Sequence, residues 1–399
     1  MIEESEALEK LLKSTPLPVK RNVPVSESVG CFLMSDARAK INLPQVCQSG
    51  VDGYAVKASD CEGNLEKLSV VGESVAGAAC DVSIDCGEAF RVFTGSQIPM
   101  GSNAVVMQED VIVLPNGLIS INAKVSPNDY VRRVGEVLLE GQKISNQGSS
   151  VKASTLGALI AGGISEVSVG SFPSIGIITT GDELINFGQI QIKRHQVYDC
   201  NGLMLKAAVS KVGVEKIEIT RTRDDLREIS SEFIEMKKWA DIILVVGGIS
   251  VGNRDYVKEA LTKCGVNEIF WRLRIKPGKP MYYGSYGENG QVFGLPGNSV
   301  SAFVCFHLFV LPAIRLRAGA AEEGLNLNKL TAQMNSHFQN KTDRPHYVCG
   351  KINGGKFEPI GNQRSNNLLA LSQSDSLLKV NPNSSIEPGE LVDLYHLSY

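Results

Sequence analysis

The stretch Ser174–Leu184, SIGIITTGDEL, is an apolar run closed by a glycine and two acids. A short unbroken apolar run bounded by a turn signal describes a strand buried on both faces, as the strands of parallel sheets are. Working outward, Leu205, Ala208, Val209 and Val212 lie on one helical stripe, and Lys216–Thr220 reads as a second strand. Leu226, Ile229, Phe233 and Met236 mark a second helix, and DIILVVGG at 241–248 is another buried strand, ending in two glycines. Val257, Ala260, Leu261 and Cys264 mark the helix after it. Strands alternating with helices predict a three-layer α/β domain, its sheet mostly parallel and its crossovers right-handed. Ligands of such folds bind outside the carboxyl ends of the strands, so the polar residues that follow each strand are the first candidates for chemistry.

The flanks differ in texture. Ala7, Leu8, Leu11 and Leu12 share one face of a short helix that stops before Pro16 and Pro18. From about 41 to 140, β-rich runs such as Lys67–Val71, Ala104–Met107 and Gly117–Ile121 are divided by Gly, Asp and Asn. Residues 151–164 return to helix and are expected to rejoin the N-terminal helix, making the β segment an insertion. After Ala318 the pattern is β again, which predicts a small terminal barrel or sandwich. A chain of 399 residues exceeds one ordinary core. The expected division is an N-terminal helical/linker domain (1–43 plus 139–170), an inserted β domain (44–138), an α/β domain (171–318) and a C-terminal β domain (319–399).

A net charge of -3 and a pI near 6.1 give no bulk electrostatic case for nucleic acid or an anionic membrane, so any anion site must be built locally. Nine cysteines without a C-x-x-C pair, and five scattered histidines, argue against a disulfide framework or structural zinc and fit a reducing cytoplasm. The acidic start lacks the layout of a signal peptide. The apolar stretch Ala302–Leu311 is about half the roughly 18 residues of a membrane span and contains His307, so a buried helix is expected.

Five loops of the α/β region carry chemistry-bearing residues. Thr179-Thr180-Gly181-Asp182-Glu183 sets two acids after a glycine turn, suited either to Mg²⁺, which prefers oxygen ligands, or to a helix start whose dipole they complement. Arg223-Asp224-Asp225 precedes a helix, where a capping Asp is the simple explanation. Gly247-Gly248-Ile249-Ser250, continuing to Asp255, lets the backbone approach a bound group. Lys276-Pro277-Gly278-Lys279-Pro280 places two lysines on a stiffened loop, a preorganised clamp for an oxyanion or phosphate. Pro296-Gly297-Asn298-Ser299-Val300-Ser301 joins a strand to an apolar helix and offers amides, Asn and Ser to an anion. Together these suggest phosphoester chemistry with Mg²⁺. In the β segment, Asp52 and Thr94 sit in Gly-rich turns that on their own read as structural hairpins.

Read in order, DGYAV (52–56), FTGSQIPMGSNAVVMQED (93–110), TTGDEL (179–184), YDCNGLML (198–205), GGISVGNRDYVKE (247–259), IKPGKP (275–280) and FGLPGNSVSA (293–302) resemble the MoeA/gephyrin E-domain family of molybdopterin molybdenumtransferases. The resemblance covers nearly the whole chain. It implies a four-part subunit with a molybdopterin-binding-like α/β domain and a C-terminal small β-barrel, working as a homodimer in the cytoplasm. Molybdate and adenylylated molybdopterin are the implied substrates, with AMP released in molybdenum cofactor biosynthesis. The molybdopterin adenylyltransferase and acceptor molybdoenzymes are the implied protein partners; nucleic acid and membrane are not.

By motif position, the resemblance assigns Glu183, Asp225 and Asp255 to the metal and the nucleotide phosphate, with Asp182 and Asp224 as neighbours. Lys276, Lys279, Pro280 and Ser301 frame the molybdate or phosphate pocket, with Arg344 and Ser365 from the terminal domain. Thr180, Gly181, Gly247, Gly248, Ser250, Pro296, Gly297 and Asn298 complete the substrate loops, and Asp52 and Thr94 reach in from the partner subunit. The chain departs from the family pattern at Val137, where Asp is usual, at Ser299 (Pro), Cys200 (Ser) and Cys349 (Arg), and at Val46–Gly50. Two alternatives share these motifs: a tungstate-loading paralogue, and a scaffold that keeps the fold and binds a partner.

Overall fold

A computed structural model describes residues 1–61, 67–188, 192–249 and 256–397. It divides into two compact units, one of residues 1–35, 146–152 and 167–399, the other of 36–145 and 153–166.

The first unit is organised by a six-stranded sheet. In chain order its elements are β1 (Ile175–Thr180), α1 (Cys200–Lys211), β2 (Ile217–Thr222), α2 (Leu226–Met236), β3 (Ile242–Val246), α3 (Val257–Lys263), β4 (Asn267–Trp271), β5 (Tyr282–Tyr286), β6 (Gly290–Leu295) and α4 (Ser299–Arg317). The strand order is β2-β1-β3-β6-β5-β4. β1 pairs in parallel with β2 and β3, and β3 with β6, while β5 runs antiparallel to both β6 and β4. The expected parallel sheet therefore ends in an antiparallel edge, because a tight turn joins β5 to β6 and only antiparallel strands can be joined that way.

Every residue of β1 and β3 is buried. Ile175, Ile177, Ile242, Leu244 and Val246 pack with Leu205 and Val209 of α1 and with α4. Ile178, Ile243 and Val245 face the other way, onto Ile229 and Phe233 of α2 and Ala260 and Leu261 of α3. Burying each such side chain stabilises by roughly 1.5–3 kcal/mol, which is why an unbroken apolar run rather than an alternating one makes these strands. The connection after β1 runs to β2 on one side and the connection after β3 runs to the other, so the order reverses between β1 and β3, the place where such sheets open a crevice.

α4 spans 19 residues, longer than its purely apolar stretch and apolar enough by length and composition to cross a membrane, yet 83% of its most apolar stretch is buried within the protein. Its middle, Phe306–Val310, is a π-helical turn in which the Leu311 amide reaches back to the Phe306 carbonyl. Pro312 follows directly. With no N–H and a ring that crowds the preceding turn, proline is accommodated by the wider turn. The N-terminal helix Glu4–Ser14 buries Ala7 and Leu11 in the α1/α4 side of this core.

The first unit also closes five strands, Lys329–Met334, His346–Asn353, Lys356–Pro359, Ser376–Val380 and Leu391–His396, into a barrel around Met334, Val348, Phe357, Leu378 and Leu394. A barrel, not a sandwich, is thus what the terminal β segment forms.

The second unit holds another six-stranded sheet, ordered Ala104–Met107, Gly53–Val56, Glu88–Val92, Leu68–Ser74, Leu118–Ile121 and Val111–Val113. The helix expected over 151–164 forms as Ala153–Ala161. It belongs to this unit, and Glu4–Ser14 to the first.

Candidate functional site

The carboxyl ends of β1, β2 and β3 are tied together by short polar contacts. Thr180 donates its hydroxyl to Asp224 Oδ1 at 2.7 Å and to the Arg223 carbonyl at 3.0 Å, and the Asp224 amide donates to Asp182 Oδ1 at 3.3 Å. The neighbouring Thr179 donates to Asp199 Oδ2 at 2.6 Å, and Asp199 caps α1 through the Gly202 amide at 3.0 Å. Asp225 caps α2: its Oδ1 accepts from the Arg227 and Glu228 amides at 2.9 and 3.0 Å, and these bonds hold its carboxyl below the usual range. The simple capping explanation is therefore correct for Asp225, and Oδ2 keeps no partner among the described residues.

No helix starts at Gly181-Asp182-Glu183. The chain makes a turn there and enters a short strand, Leu184–Ile185, so the helix-start explanation of those acids fails. Asp182 and Glu183 are exposed, and the Glu183 carboxylate has no partner among the described residues. Asp182, Glu183, Asp224 and Asp225 present only oxygen atoms. Among the described residues no group of three or more acid, His or Cys side chains converges on one point. Mg²⁺ is commonly held by one or two carboxylates together with waters and substrate phosphate, and the donor set has that chemistry.

Gly247, at φ 101°, lets β3 leave the sheet hard against β1: a Cβ there would stand 2.4 Å from the Thr180 carbonyl. Gly297, in the loop after β6, lies against Gly247, its ideal Cβ being 3.5 Å from the Gly247 Cα. The Asn201 amide holds that loop by donating to the Gly297 carbonyl at 2.6 Å, and Cys200 Sγ stands 3.4 Å from Ser299 Oγ. Ser250 and Asp255 lie outside the described residues.

Beyond the Pro296–Asn298 loop opens a cavity of about 620 Å³. Lys276, Lys279, Pro280, Pro296, Asn298, Ser301, Arg344 and Ser365 all line it, although two of them come from a terminal segment far away in sequence. Thr342, Asn362, Gln363, Arg364 and Asn366 also line it, and the sequence reading did not single them out. The signal available was the polar run Asn362–Asn367 after Gly361, which looks like an ordinary turn.

The electrostatics of the cavity are one-sided. None of its described lining residues is acidic. Lys276 and Lys279 have no carboxylate partner among the described residues, while Arg344 meets Asp343 at 3.7 Å and donates to the Ile275 carbonyl at 3.2 Å. Burial, and then the Arg344 charge, hold Lys276 below the ordinary lysine range. His346, 3% exposed beside these groups, is pushed down to about 4 by burial, Lys276 and Arg344, so it adds no further charge at neutral pH. Strand pairing fixes the clamp: the Lys276 amide donates to the Pro345 carbonyl at 2.8 Å and the Tyr347 amide to the Lys276 carbonyl at 2.7 Å. One amide of the α4 start is engaged in holding a loop, since Val300 N–H donates to the Ser365 carbonyl at 3.1 Å.

In the second unit, Asp52 accepts from both the amide and the hydroxyl of Thr94, at 2.7 and 2.8 Å, and these bonds together with Arg91 hold its carboxyl low. Arg91 lies over the rings of Tyr54 and Phe93 at 4.8 and 5.2 Å. Val137 is 67% exposed and Cys349 is 3% exposed, with burial pushing its thiol up to about 12, so neither position brings a charge.

Three family profiles match the chain in order: the MoeA N-terminal region (domain I and II) over 2–163, the probable molybdopterin binding domain over 176–316, and the MoeA C-terminal region (domain IV) over 331–397. A molybdopterin molybdenumtransferase of Haemophilus influenzae is 32% identical over 407 residues, covering 99% of this chain and 98% of the relative. One from Staphylococcus aureus is 27% identical over 98% of this chain and 94% of its own length. A crystal structure of the molybdopterin biosynthesis MoeA protein from Pyrococcus horikoshii superposes with a TM-score of 0.85 at 28% identity, covering 99% of each chain. Similarity of this extent, spanning all three regions and the fold, shows that the chain belongs to the MoeA family of molybdenum cofactor biosynthesis enzymes.

Proposed function

We propose that the protein is a molybdopterin molybdenumtransferase that takes adenylylated molybdopterin and molybdate, inserts the metal and releases AMP. The observation that carries this is a cavity with no acid among its described lining residues, whose lysines have no carboxylate partners among the described residues, joined through one loop to strand ends rich in carboxylates. The cavity suits an oxyanion. Lys276 is held below the ordinary lysine range first by burial and then by the Arg344 charge, so an entering dianion gains direct attraction to both cations and offsets their mutual repulsion. The Pro277, Pro280 and Pro296 rings reduce the ordering entropy lost on binding.

The carboxylate cluster suits the phosphoanhydride. Glu183 and Asp225, with Asp255 from the undescribed segment, would hold Mg²⁺ there. When bound, the ion would neutralise charge on the anhydride. Asp224 is oriented by Thr180, and the Gly247–Gly248 turn admits the substrate close to the backbone. The proposed assembly is a cytoplasmic homodimer in which Asp52 and Thr94 serve the site of the opposite subunit. The adenylyltransferase that makes the substrate and the molybdoenzymes that accept the product are its proposed partners.

Purified protein with adenylylated molybdopterin, Mg²⁺ and molybdate is expected to yield AMP and cofactor able to reconstitute a molybdoenzyme. No AMP from substrate shown to be intact would overturn the proposal, and competition between molybdate and tungstate in the same assay measures which oxyanion is preferred. Asp225→Asn separates two roles, because asparagine caps a helix as well as aspartate but is a poor ligand for Mg²⁺. The expected result is an unchanged melting temperature with Mg²⁺-dependent AMP release strongly reduced. Full activity would remove Asp225 from the metal site.

A further inference from the structure

We propose that Arg364 is a further anion-binding residue of the cavity, its guanidinium gripping a tetrahedral oxyanion opposite Lys276, Lys279 and Arg344. The inference rests on the oxyanion reading of the cavity given above. Arg364 lines that cavity, and among the described residues its guanidinium has neither a carboxylate nor a hydrogen-bond acceptor.

An exposed arginine on a loose turn would carry no meaning, but this turn is fixed. Gln363, which precedes it, sits at φ 52°, a region that side-chain-bearing residues rarely enter. Three hydrogen bonds hold it there. Gln363 Oε1 accepts from the Cys349 amide at 2.8 Å, and Nε2 donates to the Cys349 and Ile360 carbonyls, each at 2.7 Å. The side-chain amide thus bonds the barrel strand as a backbone neighbour would. On the far side, the Arg364 amide donates to Asn362 Oδ1 at 3.2 Å and the Arg364 carbonyl accepts from Asn367 at 3.0 Å. The next residue, Ser365, is tied to α4 through Val300.

A strained residue persists only where its surroundings over-determine it, and here they set Arg364 and Ser365 together in the lining of the cavity that Lys276 and Lys279 share. Arginine is suited to that place. Its planar fork meets two oxygens of a tetrahedral anion at once, which the point charge of lysine cannot do. The oxyanion has two possible sources with the same chemistry, free molybdate or a phosphate group of the nucleotide-bearing substrate.

Calorimetric titration of the full chain with molybdate alone, and separately with inorganic phosphate alone, tests this in wild type, Arg364→Ala, Arg364→Lys and Lys279→Ala. Arg364→Ala is expected to weaken binding on the order of tenfold or more, with Arg364→Lys restoring only part, because a charge-assisted bidentate contact is lost. Loss confined to the molybdate titration assigns Arg364 to the free oxyanion, and loss confined to phosphate assigns it to the substrate's phosphate group. The exposed position makes the melting temperature of both Arg364 variants match wild type, and Arg364→Gln repeats the test with a side chain of similar length. Wild-type affinity for both anions in Arg364→Ala, with binding lost in Lys279→Ala, overturns the role of Arg364 and leaves the cavity reading standing. Wild type that binds neither anion overturns the cavity reading itself.

Discussion

Lys276→Ala is expected to lower AMP release roughly 100- to 1,000-fold while the protein folds normally, the size of effect seen when one preorganised donor to a developing or bound anion is removed. The amide and carbonyl of the lysine itself are bonded to the backbone of Pro345 and Tyr347, so its charge is delivered to the cavity at little entropic cost. Its partial burial and the Arg344 charge make it a poorer base than a free lysine. A group held low keeps its proton only below that lowered value, so oxyanion affinity should fall as pH rises through it, before the ordinary lysine range is reached. Lys276→Arg should move that fall to higher pH, because a guanidinium stays charged throughout. Titrations of molybdate binding against pH in the two proteins measure this. Identical profiles would show that Lys276 does not set the charge of the cavity.

Gly247→Ala should destabilise the first unit by about 3 kcal/mol, combining backbone strain with overpacking, and lower its melting temperature on the order of 10 °C. A methyl group there would sit 2.4 Å from the Thr180 carbonyl at a φ of 101°, and backbone cannot step aside as a side chain can. Gly265→Ala is the matched control. It has φ 79° with nothing within 4 Å of the ideal Cβ, so only the conformational cost applies and a drop about a third as large is expected. Scanning calorimetry of the two variants compares them directly. Equal melting temperatures would mean that β1 and β3 do not approach as closely as described. Because the same approach aligns Thr180 with Asp224, activity in Gly247→Ala should fall further than its stability does.

Much of the α/β unit was legible because its signals are local. Ile175–Thr180 and Ile242–Val246 are buried on both faces, so burial imposed an uninterrupted apolar run that needs no tertiary knowledge to recognise. Asp225 was legible as a cap for the same reason, since a capping carboxylate bonds amides two and three residues onward. The antiparallel edge formed by Asn267–Trp271 and Tyr282–Tyr286 was not legible, as strand direction depends on what the connecting loop can span. Gly181–Glu183 misled in the other direction: acids after a glycine resemble a helix start, but Leu184–Ile185 goes on to pair with Val197–Tyr198 and the chain stays extended.

The sequence by itself determined the alternation of strands and helices, the loops at the strand ends and the lysine clamp on its proline-stiffened turn, because each depends on residues within a few positions of one another. Only the tertiary structure decided that Arg364 joins Arg344, Ser365, Lys276 and Lys279 in one cavity with no acid among its described lining residues. Charge complementarity of that kind is a sum over groups brought together by folding, and no local pattern along the chain records it.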